Sequence, residues 1–119
     1  METTVELGSR GEQQAAAFLV RKGYRILKRN YRHGKAEIDL VAQVGEVLVI
    51  VEVKTRTGAF YEALSESIPP RKIRRLVAAA NHLAQELRWA GEVRFDVVQV
   101  LRTASGYNLI HLEDAFYHF

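Results

Sequence analysis

Apolar positions recur at helical spacing in two stretches of the chain and run in short blocks or alternate between them. Ala15, Ala16 and Leu19 fall three, four and seven places after Glu12, one stripe of a helix opened by Ser9 and Gly11-Glu12 and running to about Lys22 before Gly23. That spacing predicts Glu12 beside the buried stripe at the helix's N-terminal end, where a carboxylate complements the helix dipole. Three strands are expected next, over 24–31, 36–43 and 46–56, with short links at His33-Gly34 and Val44-Gly45 that favour an antiparallel meander. Residues 57–67 show little period and read as a loop. Pro69-Pro70 then opens a long helix to about Trp89, striped by Ile73, Leu76, Val77, Ala80, Leu83, Ala84 and Leu87 and ended by Gly91. Two further strands, over 93–101 and 107–112, flank a turn at 103–106. A strand, long helix, strand succession favours a crossover and therefore a parallel pair. The expected fold is α/β: one domain over 1–119, a mixed central sheet flanked by helices, in the order αβββαββ.

One strand breaks its own pattern. Leu48-Val49-Ile50-Val51-Glu52-Val53-Lys54 is apolar until a carboxylate and an ammonium appear two places apart, on the same face. Buried charge is costly unless it is paired or binds a metal. Glu37-Ile38-Asp39-Leu40-Val41 repeats the pattern on the preceding strand, and a turn near Val44-Gly45 brings Asp39 opposite Glu52 or within one pleat of it. An exposed ion pair explains Glu52 and Lys54 alone, but it needs no second acid across the hairpin. Mg²⁺ or Mn²⁺ suits the set: Mg²⁺ takes oxygen ligands, keeps several waters and is typically held by one or two carboxylates plus a substrate phosphate. Asp39 and Glu52 are the expected metal ligands, with Glu12 as a further ligand directly or through water. Lys54 is placed to orient a water or to stabilise charge on the phosphorus centre. This is the chemistry of a metal-dependent phosphodiesterase. Glu37 is expected to pair with a neighbouring basic residue, and Asp96, in Arg94-Phe95-Asp96-Val97-Val98, to be a buried structural acid.

Composition narrows the class. Of 119 residues, 48% are apolar and 26% charged, as in ordinary globular domains. There is no cysteine, which excludes disulfides and thiolate metal sites. No apolar run approaches a membrane span of roughly 18 residues, and Met1 to Glu6 lacks a secretory pattern, so a cytoplasmic location is expected. The net charge of +3 is modest but uneven. Arg25, Lys28, Arg29, Arg32 and Lys35 form one acid-free group, and Arg71, Lys72, Arg74 and Arg75 another. With Arg56 beyond Lys54, these are the expected contacts to a nucleic-acid backbone. The histidines show no metal-ligand spacing, and Trp89 and the other aromatics read as packing residues.

The ordered set of Gly11-Glu12 with Ala15 and Ala16, Asn30-Tyr31-Arg32, Glu37-Ile38-Asp39-Leu40, Val51-Glu52-Val53-Lys54-Thr55-Arg56 and Arg94-Phe95-Asp96-Val97-Val98 resembles the YraN family of small bacterial nuclease-like proteins. Through it the chain resembles the PD-(D/E)XK nuclease superfamily and, in architecture, the archaeal Holliday-junction resolvases. Ile38 stands where the literal motif has proline, which is not a ligand. The resemblance covers nearly the whole chain. It implies a restriction-endonuclease-like fold and a Mg²⁺- or Mn²⁺-dependent endonuclease acting on DNA, with branched or structured DNA and a homodimer suggested by the resolvases. It also implies Asp39, Glu52 and Lys54 as the catalytic set, assisted by Glu12. The alternative is a catalytically silent nucleic-acid-binding module that acts with a partner protein. A small interaction protein with a purely structural acidic cluster is a third reading.

Overall fold

The computed structural model describes residues 2–57 and 68–116. All but the first residue of the expected loop over 57–67 lies outside them. The chain folds as α1 (Thr4–Arg21), β1 (Arg25–His33), β2 (Ala36–Val44), β3 (Val47–Thr57), α2 (Pro70–Glu86), β4 (Val93–Thr103) and β5 (Gly106–Leu112). The five strands form one sheet in chain order. β1, β2 and β3 are an antiparallel meander, β4 and β5 are antiparallel, and β3 and β4 run parallel because α2 carries the chain back between them. The αβββαββ order and the mixed sheet flanked by helices expected from the sequence are the ones observed.

Among the described residues, the two helices cover opposite faces of the sheet. α2 packs Leu76, Ala79, Ala80 and Leu83 against Ile38, Val41, Leu48, Ile50, Phe95 and Val97. α1 packs Ala15, Ala16 and Leu19 against Leu40, Ala42, Val49, Val51, Val98 and Val100. Double coverage explains the unbroken apolar run from Val47 to Val51 in β3 and the continuous burial from Phe95 to Leu101 in β4: a stretch buried on both faces has no polar side to alternate with. The crossover is possible because Pro70 sits in the first turn of α2, where its missing N–H costs no helix bond.

The start of α1 differs from the expectation. The helix begins at Thr4, so Glu12 lies in its middle and gains nothing from the terminal dipole. Thr3 and Glu6 form a capping box: the Thr3 hydroxyl accepts the Glu6 amide hydrogen at 3.1 Å, and the Glu6 carboxylate accepts the Thr3 amide hydrogen at 3.0 Å. Gly11 is then an interior helical glycine with a packing role. A Cβ there would fall inside the Thr55 side chain, so α1 crosses β3 at a closeness only glycine permits. That crossing fixes the next residue, Glu12, over the end of β3.

Candidate active site

The β2–β3 ladder ends at Leu40–Val51. Beyond that pair the strands part, and Asp39 bridges the gap: its Oδ2 accepts the Val53 amide hydrogen at 2.8 Å, in place of a strand carbonyl. Alternation along β2 slips here. Ile38 joins Val41 on the α2 face, whereas Leu40 and Ala42 join the α1 face. The strict period expected for β2, with Asp39 and Val41 on one face, therefore fails at Asp39, which sits in the seam between strands. A side chain in a seam can address both faces of the sheet.

Glu52 is almost wholly buried, with a side-chain exposure of 3%. Lys54 Nζ lies 3.8 Å from its Oε2, as two same-face neighbours should, and Lys72 from the first turn of α2 makes a closer ion pair with the same oxygen. The Asp39 carboxyl hydrogen-bonds Glu52, and burial together with the Glu52 charge pushes its pKa up to about 8 against the opposing pull of the Val53 amide. The sequence pairing of Asp39 with Glu52 is thus realised as direct contact. Glu12 approaches from α1. Burial, followed by the charges of Glu37 and Glu52, raises its pKa, while Arg29 and a hydrogen bond from Asn30 counter the rise.

Asn30 and the Glu52 contact of Lys72 are the parts of the site that sequence reasoning did not assign. Asn30 lies between the Arg29–Leu40 and Tyr31–Ile38 pairs, across from Asp39, with a φ of 52°. Asparagine is among the few residues that tolerate this left-handed conformation. Its place in the Asn30-Tyr31-Arg32 motif was the only available signal. From the sequence Lys72 reads as reaching a substrate phosphate or the site, or as a solvated helix lysine, and nothing local ties the first turn of α2 to Glu52 in particular.

Two concavities meet at the carboxylates. A groove of about 270 Å³ on the α1 side is bounded by Glu12, Asp39, Glu52, Lys54, Arg56 and Lys72, among others. A larger cavity of about 640 Å³ opens towards α2 and is lined by Lys35, Arg71, Lys72, Arg74 and Arg75, with Glu37 and Asp39 opposite. Asp39 and Lys72 line both. Of the expected nucleic-acid contacts, Lys35, Arg56, Arg71, Lys72 and Arg75 are therefore gathered around the site. Arg29 is near enough to influence Glu12. Arg32, on the neighbouring strand β1, is paired with Glu37 at 2.9 Å, the kind of basic partner expected for that acid. Arg25 and Lys28 lie opposite Gln43 and Val41, towards the end of the ladder away from Asp39.

Two adjacent carboxylates, one of them energetically reluctant to ionise beside the other, form an oxygen donor set that a divalent cation would relieve. Asp39 and Glu52 fit Mg²⁺ or Mn²⁺ held largely through waters and a substrate phosphate. Among the described residues no group of three or more His, Asp or Glu side chains converges as a metal-binding cluster, so Glu12 fits as a support acting through water more readily than as a third direct ligand. Asp96 is separate and structural. Fully buried, it accepts from Arg94 at 2.9 and 2.8 Å, from the Asp114 amide at 3.1 Å, and lies 2.7 Å from His111 Nε2.

A model of the uncharacterised protein family UPF0102 matches residues 11–100. The chain is 40% identical over 114 residues to a UPF0102 protein of Christiangramia forsetii, and 42% identical over 114 residues to one of Flavobacterium psychrophilum, each alignment covering 96% of both chains. A UPF0102 protein of Phocaeicola vulgatus is 36% identical over 112 residues, covering 94% of this chain and 93% of that one. Among solved structures, one of Pyrococcus furiosus SfsA in complex with Ca²⁺ is similar with a TM-score of 0.40 and 15% identity, over 92% of this chain and 63% of that one.

Proposed function

The chain belongs to the uncharacterised protein family UPF0102, the YraN family, and we propose that it is a metal-dependent endonuclease hydrolysing phosphodiester bonds in DNA. The observation that carries this reading is the Asp39–Glu52 contact in the β2–β3 seam, flanked by Lys54 and opening onto a cavity lined by five basic side chains. A structural acid pair has no use for such surroundings. A phosphodiester needs both: cations along its backbone and an oxygen-donor site at the reacting phosphate.

Asp39 and Glu52 would hold Mg²⁺ or Mn²⁺, which when bound supplies charge neutralisation at the phosphate and a more acidic water. Water oxygen forms the new bond to phosphorus and gives up a proton, the bond to the leaving oxygen breaks, and that oxygen takes up a proton. Lys54 stabilises the negative charge gathering on the phosphoryl oxygens, a role its ammonium performs best in a site that excludes bulk water. The Val53 amide holds Asp39 in register, and Asn30 orients Glu12, which has an elevated pKa suited to passing protons.

The second reading is a nucleic-acid-binding module without turnover, working with a partner protein. The ion pair between Lys72 and Glu52 favours it, because an ammonium occupies a carboxylate that a metal needs. Labelled duplex, single-stranded, flap and four-way-junction DNA incubated with Mg²⁺ or Mn²⁺ and either native protein or Lys54→Ala decides between them. Cleavage by the native protein alone supports the nuclease and reveals its preferred DNA structure. Retarded but uncut DNA in every lane supports the binding module.

A further inference from the structure

Glu52 is approached by two lysines that differ in every respect except charge. Lys54 comes from the same strand, is 17% exposed, stands 3.8 Å from Glu52 Oε2 and lines the smaller groove only. Lys72 comes from a helix on the opposite side of the gap, is 42% exposed, touches the same oxygen more closely and lines both concavities. One is fixed by its strand. The other is the flexible end of a long side chain with a second place to go, among Lys35, Arg71, Arg74 and Arg75.

Among the described residues, that second place lacks a counterion of its own. The first turn of α2 contains no acidic residue, Pro69 gives no side-chain cap, and basic residues occupy the end of the helix that the dipole already makes positive. The Arg71, Arg74 and Arg75 side chains stand around a cavity whose acids, Glu37 and Asp39, are engaged elsewhere: Glu37 with Arg32, and Asp39 with Val53 and Glu52. An anion entering the cavity offers the Lys72 ammonium a new partner beside its neighbours, and Glu52 keeps Lys54 when Lys72 leaves.

We propose that the cation-lined cavity between β2 and the start of α2 binds a backbone phosphate next to the reacting one, and that this phosphate draws Lys72 off Glu52 and frees it to hold the metal. The inference rests on the metal-dependent reading of the site. It makes metal binding and substrate binding mutually reinforcing: without nucleic acid Lys72 competes with the cation, and with nucleic acid it does not. Coupling of this kind is reciprocal, so the cation tightens nucleic-acid binding by the same factor.

Ca²⁺ affinity measured by titration calorimetry, with and without a short single-stranded oligodeoxynucleotide, tests it. The native protein should bind Ca²⁺ about tenfold more tightly when the oligonucleotide is present, within the usual range for coupled sites. Lys72→Ala should already have that tighter affinity alone and gain little more from the oligonucleotide; Lys72→Met, which keeps the side chain's packing stem, should match it. Arg74→Ala should reduce the enhancement that the oligonucleotide produces. Unaltered Ca²⁺ affinity in both Lys72 variants overturns the competition while the metal reading stands. Absence of Ca²⁺ binding in native protein and both Lys72 variants overturns the two together.

Discussion

Asp39 accepts the backbone hydrogen of Val53 at 2.8 Å across strands that have already separated. One carboxyl therefore takes up the Val53 amide hydrogen and faces Glu52, so its structural and chemical tasks can be pulled apart by substitution. Asparagine keeps an oxygen for Val53 but carries no charge. Asp39→Asn is expected to melt at the same temperature as native protein, or higher, at pH 8 without metal. A divalent cation at 100 times its Kd stabilises native protein by about 2.7 kcal/mol, and this gain should vanish in the variant. Thermal melts with and without Mn²⁺ check both halves; a preserved Mn²⁺ shift would place the cation elsewhere.

The pH dependence of the metal-free protein follows from the same group. The folded-state pKa of Asp39 is raised from 3.8 to about 8, so between those values the folded chain retains a proton that the unfolded chain has lost. Stability must then fall as pH rises through that interval, and Glu12, also raised, adds in the same direction. Asp96 works at the acid end with the opposite sign. Its pKa is lowered despite burial by His111, Arg94 and the Asp114 amide, so its contribution is lost as pH falls below the normal carboxylate range. Urea unfolding in EDTA should show greater stability near pH 5.5 than near pH 8.5. Asp39→Asn should flatten most of that difference.

Gly11→Ala tests the crossing of α1 over β3. Alanine is the better helix former by roughly 1 kcal/mol, yet its Cβ collides with Thr55. Overpacking of this kind typically costs about 1–3 kcal/mol, so the variant should be less stable than native by denaturant titration. Thr55→Ala in the same chain removes the hydroxyl and methyl and should recover part of the loss. A stabilised single variant would show that α1 can lift away.

Asp96→Asn should be among the most damaging single changes outside the site. It leaves Arg94, whose side chain is only 15% exposed, with the more exposed Glu113 at 3.5 Å in place of a fully buried carboxylate. Breaking one side of a buried pair usually costs about 3–5 kcal/mol. Binding of DNA per folded molecule should be unchanged, because Asp96 borders neither concavity at the carboxylates. A loss of binding larger than the loss of folded protein would contradict a purely structural role.

The sheet order, both helices and the crossover were legible because two-sided burial writes long apolar runs and proline marks the start of α2. Asp39, Glu52 and Lys54 were legible because charge inside such runs calls for a partner. The start of α1 was misplaced although Thr3 and Glu6 carry the capping-box pattern: no apolar stripe accompanies the first turn, where Val5 is 81% exposed. The slip of alternation at Asp39 was invisible, since a break in pairing depends on what the neighbouring strand does. Lys72 shows the same limit more sharply. Its role depends on a helix being laid across a sheet, a relationship that no short stretch of sequence encodes.

The parallel pairing of β3 with β4 sets an order on how the molecule can be made. The β1–β3 meander contains Asp39 and Glu52 and can form locally, but its last strand presents an open, apolar edge from Leu48 to Val53 until the partner Val93–Val98 has been synthesised and returned to it. During translation the chemistry of the site is in place before its shelter is. Chains ending before Val93 should therefore sediment as aggregates, whereas chains extended through β4 should stay in the supernatant.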